Sequence, residues 1–456
     1  MPIRLRAKLR TARILARKSL FTVRYQGLRA FYVKARRRLK PALASGPTWN
    51  QTYAAEAMLL AQWLDCTPED VRRSQAVQET DRGSLDIKTI TWYLPHFENA
   101  YYGGVHTILR FAAGFTREHG VKHTFAILGD ANSPEEAVYA QRIAEPFPDL
   151  LGSKIVVIHT DLDLPRIPEC NACVATLWST AYYVLKNNRT RRKFYFLQDF
   201  EPMFYPAGSS SALAEATYRF GFYAVTNTVT LQQHYINDYG GAAGAFHPCV
   251  DTQIFYPPAQ RDWTRKPYKV FFYGRPNHWR NGFELGAIAL RKLKEQLGAQ
   301  VQIVSAGHAW NPAEYELEGI IEPLGLLSYH ATTELYRTCD AGLVMMFTRH
   351  PSYLPFEFMA SGCLVVTNVN HSTSWLLKDG ENCLLTLPTA SCITATLARG
   401  LQDDALRQRI TGRALEIIRR DYADWPGQVQ QIYQYMCDPN NTRLTQTSEE
   451  TIVVSK

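Results

Sequence analysis

The stretch that decides the fold of this 456-residue chain is HPSYLPFEFMASGCLVVTN, from His350 to Asn368. The apolar run AGLVMMF precedes it and the apolar run CLVVTN closes it, a pattern typical of two buried strands joined by a short helix. Pro355 suits the first helical position, and Gly362 suits the position just after the last one. The single acid, Glu357, then lies in the first helical turn, at the sheet edge where α/β proteins bind ligands. It either caps its own helix or binds ligand hydroxyl groups.

The same alternation of apolar runs and helical stretches extends outward in both directions. It is interrupted by a connection rich in proline and charge at residues 252–268. The pattern predicts an α/β protein with mostly parallel sheets, built from two Rossmann-like domains that face each other across a cleft. The runs are KTITWYL, HTFAILG, KIVVIHT, KFYFLQDF and FYAVTN before the connection, and KVFFYG, AQVQIVSAG, AGLVMMF, CLVVTN and NCLLTL after it.

Domain boundaries follow from these runs. We expect the first Rossmann-like domain at residues 86–260 and the second at residues 261–420. Residues 41–85 are predicted to form a linker and a helical extension. A helix at residues 421–437 is expected to cross back to the first domain, and residues 438–456 read as a disordered tail.

Positive charge is concentrated at the start of the chain. Residues 1–40 hold fourteen of the 50 Lys and Arg and none of the 42 acids, so the net charge of +8 becomes −6 without them. Apolar residues recur in this segment at helical intervals. A basic amphipathic helix suits an anionic membrane surface. Nucleic acid is the rival partner, but no recognition motif follows, and a solvated, disordered arm is the third alternative.

The composition also indicates the compartment of the cell in which we expect the protein. No window of 18 apolar residues occurs, and the charged start has no signal-peptide core. The nine cysteines show no disulfide spacing, and CNAC at residues 170–173 is a lone CxxC without a second pair, so no structural zinc site is expected. We expect a cytoplasmic protein that is peripheral on the inner face of the membrane.

Two arginines follow a strand in the segment VFFYGRPNHWRNGFELG. Arg275 and Arg280 precede the next helix, where guanidinium groups and helix-terminal N–H groups can bind phosphate oxygens. The alternative is a solvated pair in a surface loop. Arg275 comes directly after a buried strand, which favours the phosphate-binding interpretation.

The first half of the chain carries weaker signals. Gly103 and Gly104 separate a strand from a helix and would let backbone amides approach a ligand closely. No GxGxxG or GxxxxGK[ST] motif occurs, which argues against dinucleotide oxidoreductases and P-loop enzymes. Asp161 and Asp163 have a spacing that metal-diphosphate sites use, but no further ligands lie nearby in the sequence.

Asp199 and Glu201 follow the strand KFYFL directly. Their carboxylates could orient a sugar hydroxyl or accept a proton. Equally, they could cap the following turn.

Five segments together resemble glycosyltransferases of family 4, which have the GT-B fold, and most closely the WsaF-type rhamnosyltransferases. The resemblance covers roughly residues 88–437. The segments are YYGGVHTILRFAAGF, FLQDFEPMFYP, FHPCVDTQIFYP, FFYGRPNHWRNGFELG and HPSYLPFEFMASGCLVVTN.

The resemblance implies that the first domain binds the acceptor and the second binds the nucleotide-sugar. It also implies a role for individual residues. The glycine pair would meet the donor phosphates, Arg275 and Arg280 would bind the diphosphate, and Glu357 would bind the nucleotide ribose. Further donor-binding residues would be Gly307, His350, Ser352 and Tyr353; Asp199 would join the two arginines in catalysis, and Glu201 and Trp178 would lie on the acceptor side.

The chain departs from the family pattern at two positions. Arg280 stands where a lysine is usual. Arg349 lies eight residues before Glu357, so the first acid of the EX7E pair is absent. Arg349 or His350 would suit a different sugar face, such as that of a 6-deoxy sugar.

The expected activity is transfer of a hexosyl group, most of all L-rhamnose from dTDP-L-rhamnose, to a surface polysaccharide or lipid-linked glycan such as O-antigen. The resemblance implies retention of anomeric configuration, with no metal or redox cofactor and no nucleic-acid partner. The alternatives are another donor (GDP-mannose or a UDP-sugar), a nucleotide-sugar epimerase, and a non-catalytic scaffold of a glycan-assembly complex.

Overall fold

The computed structural model describes residues 49–101, 103–130 and 132–441, with side chains from residue 52 onward. The chain divides into two units, Met1–Gln62 and Trp63–Lys456. The predicted basic arm at residues 1–40 lies outside the described residues, as does most of the predicted tail. The described part of the first unit belongs to one helix, α1, which ends just inside the second unit.

Helices and strands alternate through the second unit. The helices are α1 Trp49–Trp63, α2 Pro68–Thr80, α3 Gly103–His119, α4 Glu136–Ala144, α5 Trp178–Lys186, α6 Ser209–Ala216, α7 Val229–Tyr239, α8 Phe283–Leu297, α9 Tyr329–Thr338, α10 Leu354–Ala360, α11 Ala390–Gln402, α12 Asp404–Asp421 and α13 Trp425–Cys437. The strands are β1 Thr89–Leu94, β2 Lys122–Leu128, β3 Lys154–Ile158, β4 Cys170–Ala175, β5 Thr190–Leu197, β6 Tyr223–Asn227, β7 Ala243–Phe246, β8 Tyr268–Tyr273, β9 Val301–Ala306, β10 Glu322–Pro323, β11 Ala341–Val344, β12 Leu364–Asn368 and β13 Leu384–Thr386.

The strands form two wholly parallel sheets. The first has seven strands in the order β3-β2-β1-β4-β5-β6-β7, and the second has six in the order β10-β9-β8-β11-β12-β13. In register, Trp92 lies opposite Phe125 and Leu343 lies opposite Val366. Each sheet follows the Rossmann order, in which the strand sequence reverses beside the first strand. The expectation of two Rossmann-like α/β domains is therefore confirmed.

Two strands of the first sheet are not predicted by the apolar runs of the sequence. β4 contains the CNAC segment and pairs with β1 and β5 in the middle of the sheet. β7 is the short run Ala-Gly-Ala-Phe, and a Cβ at Gly244 would lie 2.5 Å from the ring of Tyr435. Both strands are built mostly from small residues, which carry little hydrophobic signal. Cys170 and Cys173 are accordingly buried strand residues.

The helix α13 belongs to the core of the first domain although it follows the second domain in sequence. Val429, Ile432 and Tyr433 lie in the same buried cluster as residues of β1, β2 and α3. The guanidinium of Arg192 on β5 donates to the carbonyl of Met436 at 2.9 Å. Burial of its apolar face places the helix there, because that face would otherwise be in water.

None of the described helices is both long enough and apolar enough to cross a bilayer.

Candidate functional site

Two adjoining cavities lie between the Rossmann-like domains. The Glu357 cavity, which we name after its unpaired acid, has a volume of about 370 Å³. The Asp199 cavity has a volume of about 340 Å³. Residues that follow β1, β8 and β11 line both cavities. Residues that follow β4 line the Asp199 cavity as well. These strands flank the point where the strand order of each sheet reverses, the place where parallel sheets bind ligands.

Five residues line both cavities and form a shared wall. They are Gly103, Tyr273, Arg275, Ser352 and Tyr353. An elongated ligand that occupied both cavities would therefore pass these residues midway. Two backbone positions in the wall are left-handed, Gly103 with φ 61° and Ser352 with φ 62°. Such strain in a non-glycine residue is typical of functional sites.

Glu357 lies in the first turn of α10, as the sequence predicts. Its side chain lines the Glu357 cavity, and none of the described residues donates a hydrogen bond to its carboxylate or forms an ion pair with it. Burial raises the pKa of Glu357 to about 8. The helix cap provides no alternative role, since α10 has no side-chain cap bond at its N-terminus. The carboxylate is thus available to a ligand.

Arg275 is held in the shared wall by neutral partners. Its guanidinium donates to the hydroxyl of Tyr273 at 3.1 Å and contacts the ring of His278. The Nε of Arg275 is buried without a hydrogen-bond partner, and no described acid pairs with this arginine. A partly buried cation without a counter-ion favours an anionic ligand at this position.

Arg280 also lines the Asp199 cavity, so the structure brings the two predicted arginines together. Their surroundings differ. The guanidinium of Arg280 lies 4.1 Å from the ring centroid of Phe204 in the first domain. Burial lowers the pKa of Arg280, while the nearby Asp199 carboxylate acts in the opposite direction. Arg280 therefore lies near an acid, whereas no described acid pairs with Arg275.

His350 is 8% exposed and lines the Asp199 cavity. Its Nδ1 accepts a hydrogen bond from the backbone N–H of Ser352 at 2.9 Å. Burial and the charge of Arg280 lower the pKa of His350 to about 3, so the ring is neutral and its proton is on Nε2. That Nε2 is buried without a partner. The Nε2–H group of His350 is therefore a fixed hydrogen-bond donor for a ligand oxygen.

Asp199 belongs to the first domain and lines the cavity together with residues of the second. Its carboxylate accepts from the backbone N–H of Phe200 at 2.8 Å, and the neighbouring Thr348 and Arg349 act to lower its pKa. Burial is the largest influence on this group and raises the pKa of Asp199 to about 6.

Glu201 is buried and has its hydrogen-bond donors in its own domain. Its carboxylate is 3% exposed and accepts from the backbone N–H of Trp178 at 2.5 Å and from the hydroxyl of Tyr195 at 3.0 Å. Burial raises the pKa of Glu201 to about 8. The indole of Trp178 is 1% exposed and donates to Tyr205 at 3.1 Å. Glu201 thus holds the start of α5 and also lines the Asp199 cavity, whereas Trp178 packs within the domain.

The glycines have distinct places. Gly104 lines the Asp199 cavity, where a Cβ would lie 2.7 Å from the amide nitrogen of Gln198. Gly307 lines the Glu357 cavity with φ 117°, and its Cβ would lie 2.5 Å from the ring of Tyr273. Larger residues at either position would displace a cavity side chain.

Asp161 and Asp163 do not form a metal pair. Asp163 accepts from the backbone N–H groups of His159 and Thr160 and so caps a short helix. Asp161 pairs with Lys186 at 2.7 Å. Within the described part of the chain, no group of three or more His, Cys, Asp or Glu could hold a metal ion.

Several cavity residues had no sequence signal. Arg110 and Trp425 line the Glu357 cavity from α3 and α13, with the guanidinium 4.9 Å from the indole centroid. Arg110 also lies 3.7 Å from Asp251. These residues come from three distant parts of the chain, so no local motif could predict their meeting. Thr107 is the exception, since it lies one turn after Gly103 on α3.

Comparison with known sequences identifies the family. Residues 94–230 match the family described as "WsaF, N-terminal domain", and residues 268–398 match "WsaF, C-terminal domain". The O-antigen biosynthesis protein RfbC of Myxococcus xanthus is 42% identical over 377 residues, which are 82% of this chain and 29% of that protein. The chain thus spans about three tenths of the length of this curated relative.

Solved structures share the fold at low sequence identity. Anabaena Alr3699/HepE in complex with UDP and glucose superposes with a TM-score of 0.60 at 14% identity, over 76% of this chain and 99% of that one. Sucrose-phosphate synthase from Thermosynechococcus elongatus superposes with a TM-score of 0.59 at 14% identity, over 75% and 97%. These similarities confirm the GT-B architecture.

Proposed function

Because the chain belongs to the WsaF family and has the GT-B fold, we propose that it is a glycosyltransferase that moves a hexosyl group from a nucleotide-sugar to a glycan acceptor. The observation that carries the proposal is Arg275, a cation without a counter-ion in the wall that both cavities share. A diphosphate there would have its nucleoside in one cavity and its sugar in the other. Arginine suits this position because its fork matches phosphate oxygens.

The two cavities differ in ways that fit the two ends of such a donor. In the Glu357 cavity, the unpaired carboxylate would accept hydrogen bonds from ribose hydroxyls. In the Asp199 cavity, the Nε2–H of His350 would donate to a sugar or phosphate oxygen. Arg275 and Arg280 would stabilise the charge that develops on the departing diphosphate, the role that a metal ion has in other transferases.

The donor is dTDP-L-rhamnose in this proposal, and the anomeric configuration is retained. Resemblance to the WsaF-type rhamnosyltransferases supports both statements. The wall of the Asp199 cavity adds support, since the first domain contributes many apolar side chains that would suit the methyl group of a 6-deoxy sugar. They are Pro95, Val105, Ile108, Leu177 and Phe204.

The acceptor is a surface polysaccharide or lipid-linked glycan in this proposal, and residues 1–40 hold the enzyme at an anionic membrane surface. Similarity to the O-antigen biosynthesis protein of Myxococcus xanthus supports the glycan class. The fourteen basic residues of the arm support the membrane contact.

Thermal unfolding with TDP, UDP, GDP and ADP, each with and without Mg²⁺, tests the donor. A ligand at one hundred times its dissociation constant adds about 2.7 kcal/mol to the free energy of unfolding. We expect stabilisation by TDP that does not depend on Mg²⁺. A preference for UDP or GDP would contradict dTDP-L-rhamnose as the donor but would still support a glycosyltransferase. No response to any nucleotide would favour a non-catalytic scaffold.

Arg275→Ala tests the diphosphate site directly. We expect turnover to fall about 10²-fold, the effect of removing one charge-stabilising contact in a transition state. Thermal stabilisation by TDP should also fall, while stabilisation by thymidine, which has no phosphate, should not change. The matched control is Arg117→Ala, because Arg117 is an exposed arginine that pairs with Asp149 on the surface. Normal turnover of folded Arg275→Ala would contradict the assignment.

A further inference from the structure

A short helical turn of the second domain borders the Asp199 cavity. It is the segment Trp279–Asn281 between β8 and α8, and we call it the rim turn. Arg280 and Asn281 line the cavity, whereas the side chain of Trp279 is 55% exposed. A single turn therefore contributes two polar side chains to the cavity and leaves a large aromatic side chain in water beside it.

The first domain adds a second exposed side chain at the same place. Its short helix Glu201–Phe204 packs against the rim turn, and the guanidinium of Arg280 lies 4.1 Å from the ring centroid of Phe204. Met203 of this helix is 44% exposed. Single exposed apolar side chains are common on protein surfaces. Here two of them belong to helices that are in contact beside a cavity, and this location favours a ligand.

Backbone hydrogen bonds hold the rim turn in place. The carbonyl of Trp279 accepts from the N–H of Gly282 at 3.1 Å. The carbonyl of Arg280 accepts from the N–H of Phe347 at 3.2 Å. Gly282 ends the turn with φ 54°, and a Cβ there would lie 2.6 Å from the ring of Phe347. Trp279 is therefore presented by a fixed backbone, which reduces the entropy that is lost when a ligand binds.

Asn281 shows which chemistry the rim turn offers to the cavity. Its side-chain oxygen is buried and has no hydrogen-bond partner among the described residues. A buried acceptor without a donor costs free energy, and a hydroxyl group of a ligand removes that cost. A sugar has hydroxyl groups at its edge and C–H groups on its faces, and the face of an indole attracts C–H groups. The rim turn presents a partner for each.

The size of the cavity places part of a glycan acceptor at this rim. At about 340 Å³, the Asp199 cavity is near the lower limit for small-ligand pockets, which is about 300 Å³. A cavity of this size does not hold a polymer. A glycan whose end enters the cavity therefore leaves the rest of its chain outside, next to the exposed side chains of the rim.

We propose that Trp279 binds the acceptor glycan: its indole stacks on a sugar ring where the chain leaves the Asp199 cavity, and Asn281 accepts a hydrogen bond from a hydroxyl group of the sugar inside. Met203 contacts the outer sugar from the first domain. The inference rests on the proposed function for the identity of the ligand, a saccharide acceptor. It adds a contact from the second domain to acceptor binding, which the family resemblance assigns to the first.

Fluorine NMR of protein labelled with fluorotryptophan tests the contact without a transfer reaction. The signal of Trp279 is identified by its absence in Trp279→Phe. The matched control is Trp63, an exposed tryptophan on α1, whose signal is identified in the same way. With a linear trisaccharide of L-rhamnose as the probe, in the presence of TDP, we expect the signal of Trp279 to shift and that of Trp63 to stay. An unchanged Trp279 signal, or equal shifts of both signals, would overturn the proposal.

Kinetics separate acceptor binding from a structural role. In Trp279→Ala we expect the KM for the trisaccharide to rise about tenfold, the effect of losing one aromatic contact, while the KM for dTDP-L-rhamnose and the melting temperature stay as in the wild type. Trp279→Phe keeps an aromatic face and should recover most of the acceptor affinity. Trp63→Ala is the matched control and should change neither constant. An unchanged KM for the trisaccharide, or equal increases for donor and acceptor, would refute the proposal.

Failure of the proposed function would give a different result. A wild-type protein that transferred no sugar and was stabilised by no nucleotide would contradict the glycosyltransferase assignment. The fluorine signal of Trp279 would still decide whether a saccharide binds at the rim turn.

Discussion

Asp199, Glu201 and Glu357 are three acids whose pKa burial raises, and each has a different set of partners. Glu201 has two donors from its own domain, Asp199 has one donor from its own loop, and Glu357 has none among the described residues. The cost of burying a carboxylate is offset by protein hydrogen bonds in the first two. In Glu357 that compensation is absent, and this absence is why we propose Glu357 as a ligand-binding acid.

Nucleotide binding should release a proton from Glu357. With a pKa near 8, this carboxyl is mostly protonated at pH 7, and hydrogen bonds from ribose hydroxyls favour its ionised form. Calorimetry in buffers of different ionisation enthalpy measures the release, which we expect to approach one proton at pH 7. Glu357→Gln is the matched control, because it lacks this proton but keeps the titration of the phosphate. Equal proton release in the two proteins would contradict the contact.

Glu201 should make the fold less stable as pH rises. Its folded pKa of about 8 lies above the ordinary 4.5, so the folded protein binds more protons than the unfolded chain between these values, and the free energy of unfolding falls across that window. Glu201→Gln removes this dependence and leaves an oxygen for Trp178 and Tyr195. Between pH 5 and pH 8.5, we expect the melting temperature of the wild type to fall relative to that of the variant. Glu215→Gln, at a surface pair with Arg219, serves as the control.

At the residue scale, the sequence predicts which residues of the segments after β8 and β11 line the cavities. Arg275, Arg280, His350 and Glu357 all do so, because the end of a parallel strand fixes where the segment after it begins. The direction of a side chain is harder to predict. The acid Glu201 points inward, since it meets a backbone N–H from α5 and a hydroxyl from β5, and such long-range partners leave no trace in the local sequence.

Close contact between elements depends on a few glycines. Gly114 of α3 faces α13, where an added Cβ would lie 2.6 Å from a methyl group of Val429. Gly412 of α12 is exposed and has open space around it. Both residues lie inside helices, so they have the same intrinsic cost relative to alanine and differ only in packing.

Alanine at these two positions should have opposite effects. Gly114→Ala should destabilise the protein by about 1–3 kcal/mol, the usual cost of overpacking a core. Gly412→Ala should stabilise it by about 0.5–1 kcal/mol, because alanine is the better helix former. Urea denaturation measures both values. A neutral or stabilising Gly114→Ala would mean that α3 and α13 are not in close contact.

At the element scale, the apolar runs predict most of the strands. β4 and β7 were missed because strands of Ala, Gly and Cys resemble loops in composition, and their burial becomes apparent only from neighbours such as β1 and Tyr435. The helix at residues 421–437 was expected to cross back to the first domain, and α13 packs there. No property of its own sequence says which domain it packs against.

At the scale of the whole molecule, the distribution of charge separates the two ends of the chain. Residues 1–40 carry fourteen positive charges, while the remainder carries a net −6. The negative remainder would be repelled by an anionic surface, so any attraction to such a surface must come from the arm.

Removal of residues 1–40 should abolish binding to anionic vesicles. Each Lys or Arg near such a surface contributes about 1 kcal/mol at most, and salt reduces the effect. In co-sedimentation with vesicles that contain phosphatidylserine, we expect the full chain to bind at low salt and to bind at least ten times more weakly at high salt. Vesicles of phosphatidylcholine alone are the control. Equal sedimentation with and without the arm would contradict the membrane role.

The position of α13 in the first domain has a consequence for synthesis on the ribosome. The rings of Phe111 and Phe115 in α3 contact Trp425 and Tyr433 of α13, with centroids 5.9 Å and 5.6 Å apart, yet α13 is translated more than three hundred residues later. The first domain therefore leaves the ribosome with an uncovered core, and the second domain is complete before the first. Separately expressed halves, divided at the connection between the domains, would leave that core open to aggregation, so the molecule should mature as one cooperative unit.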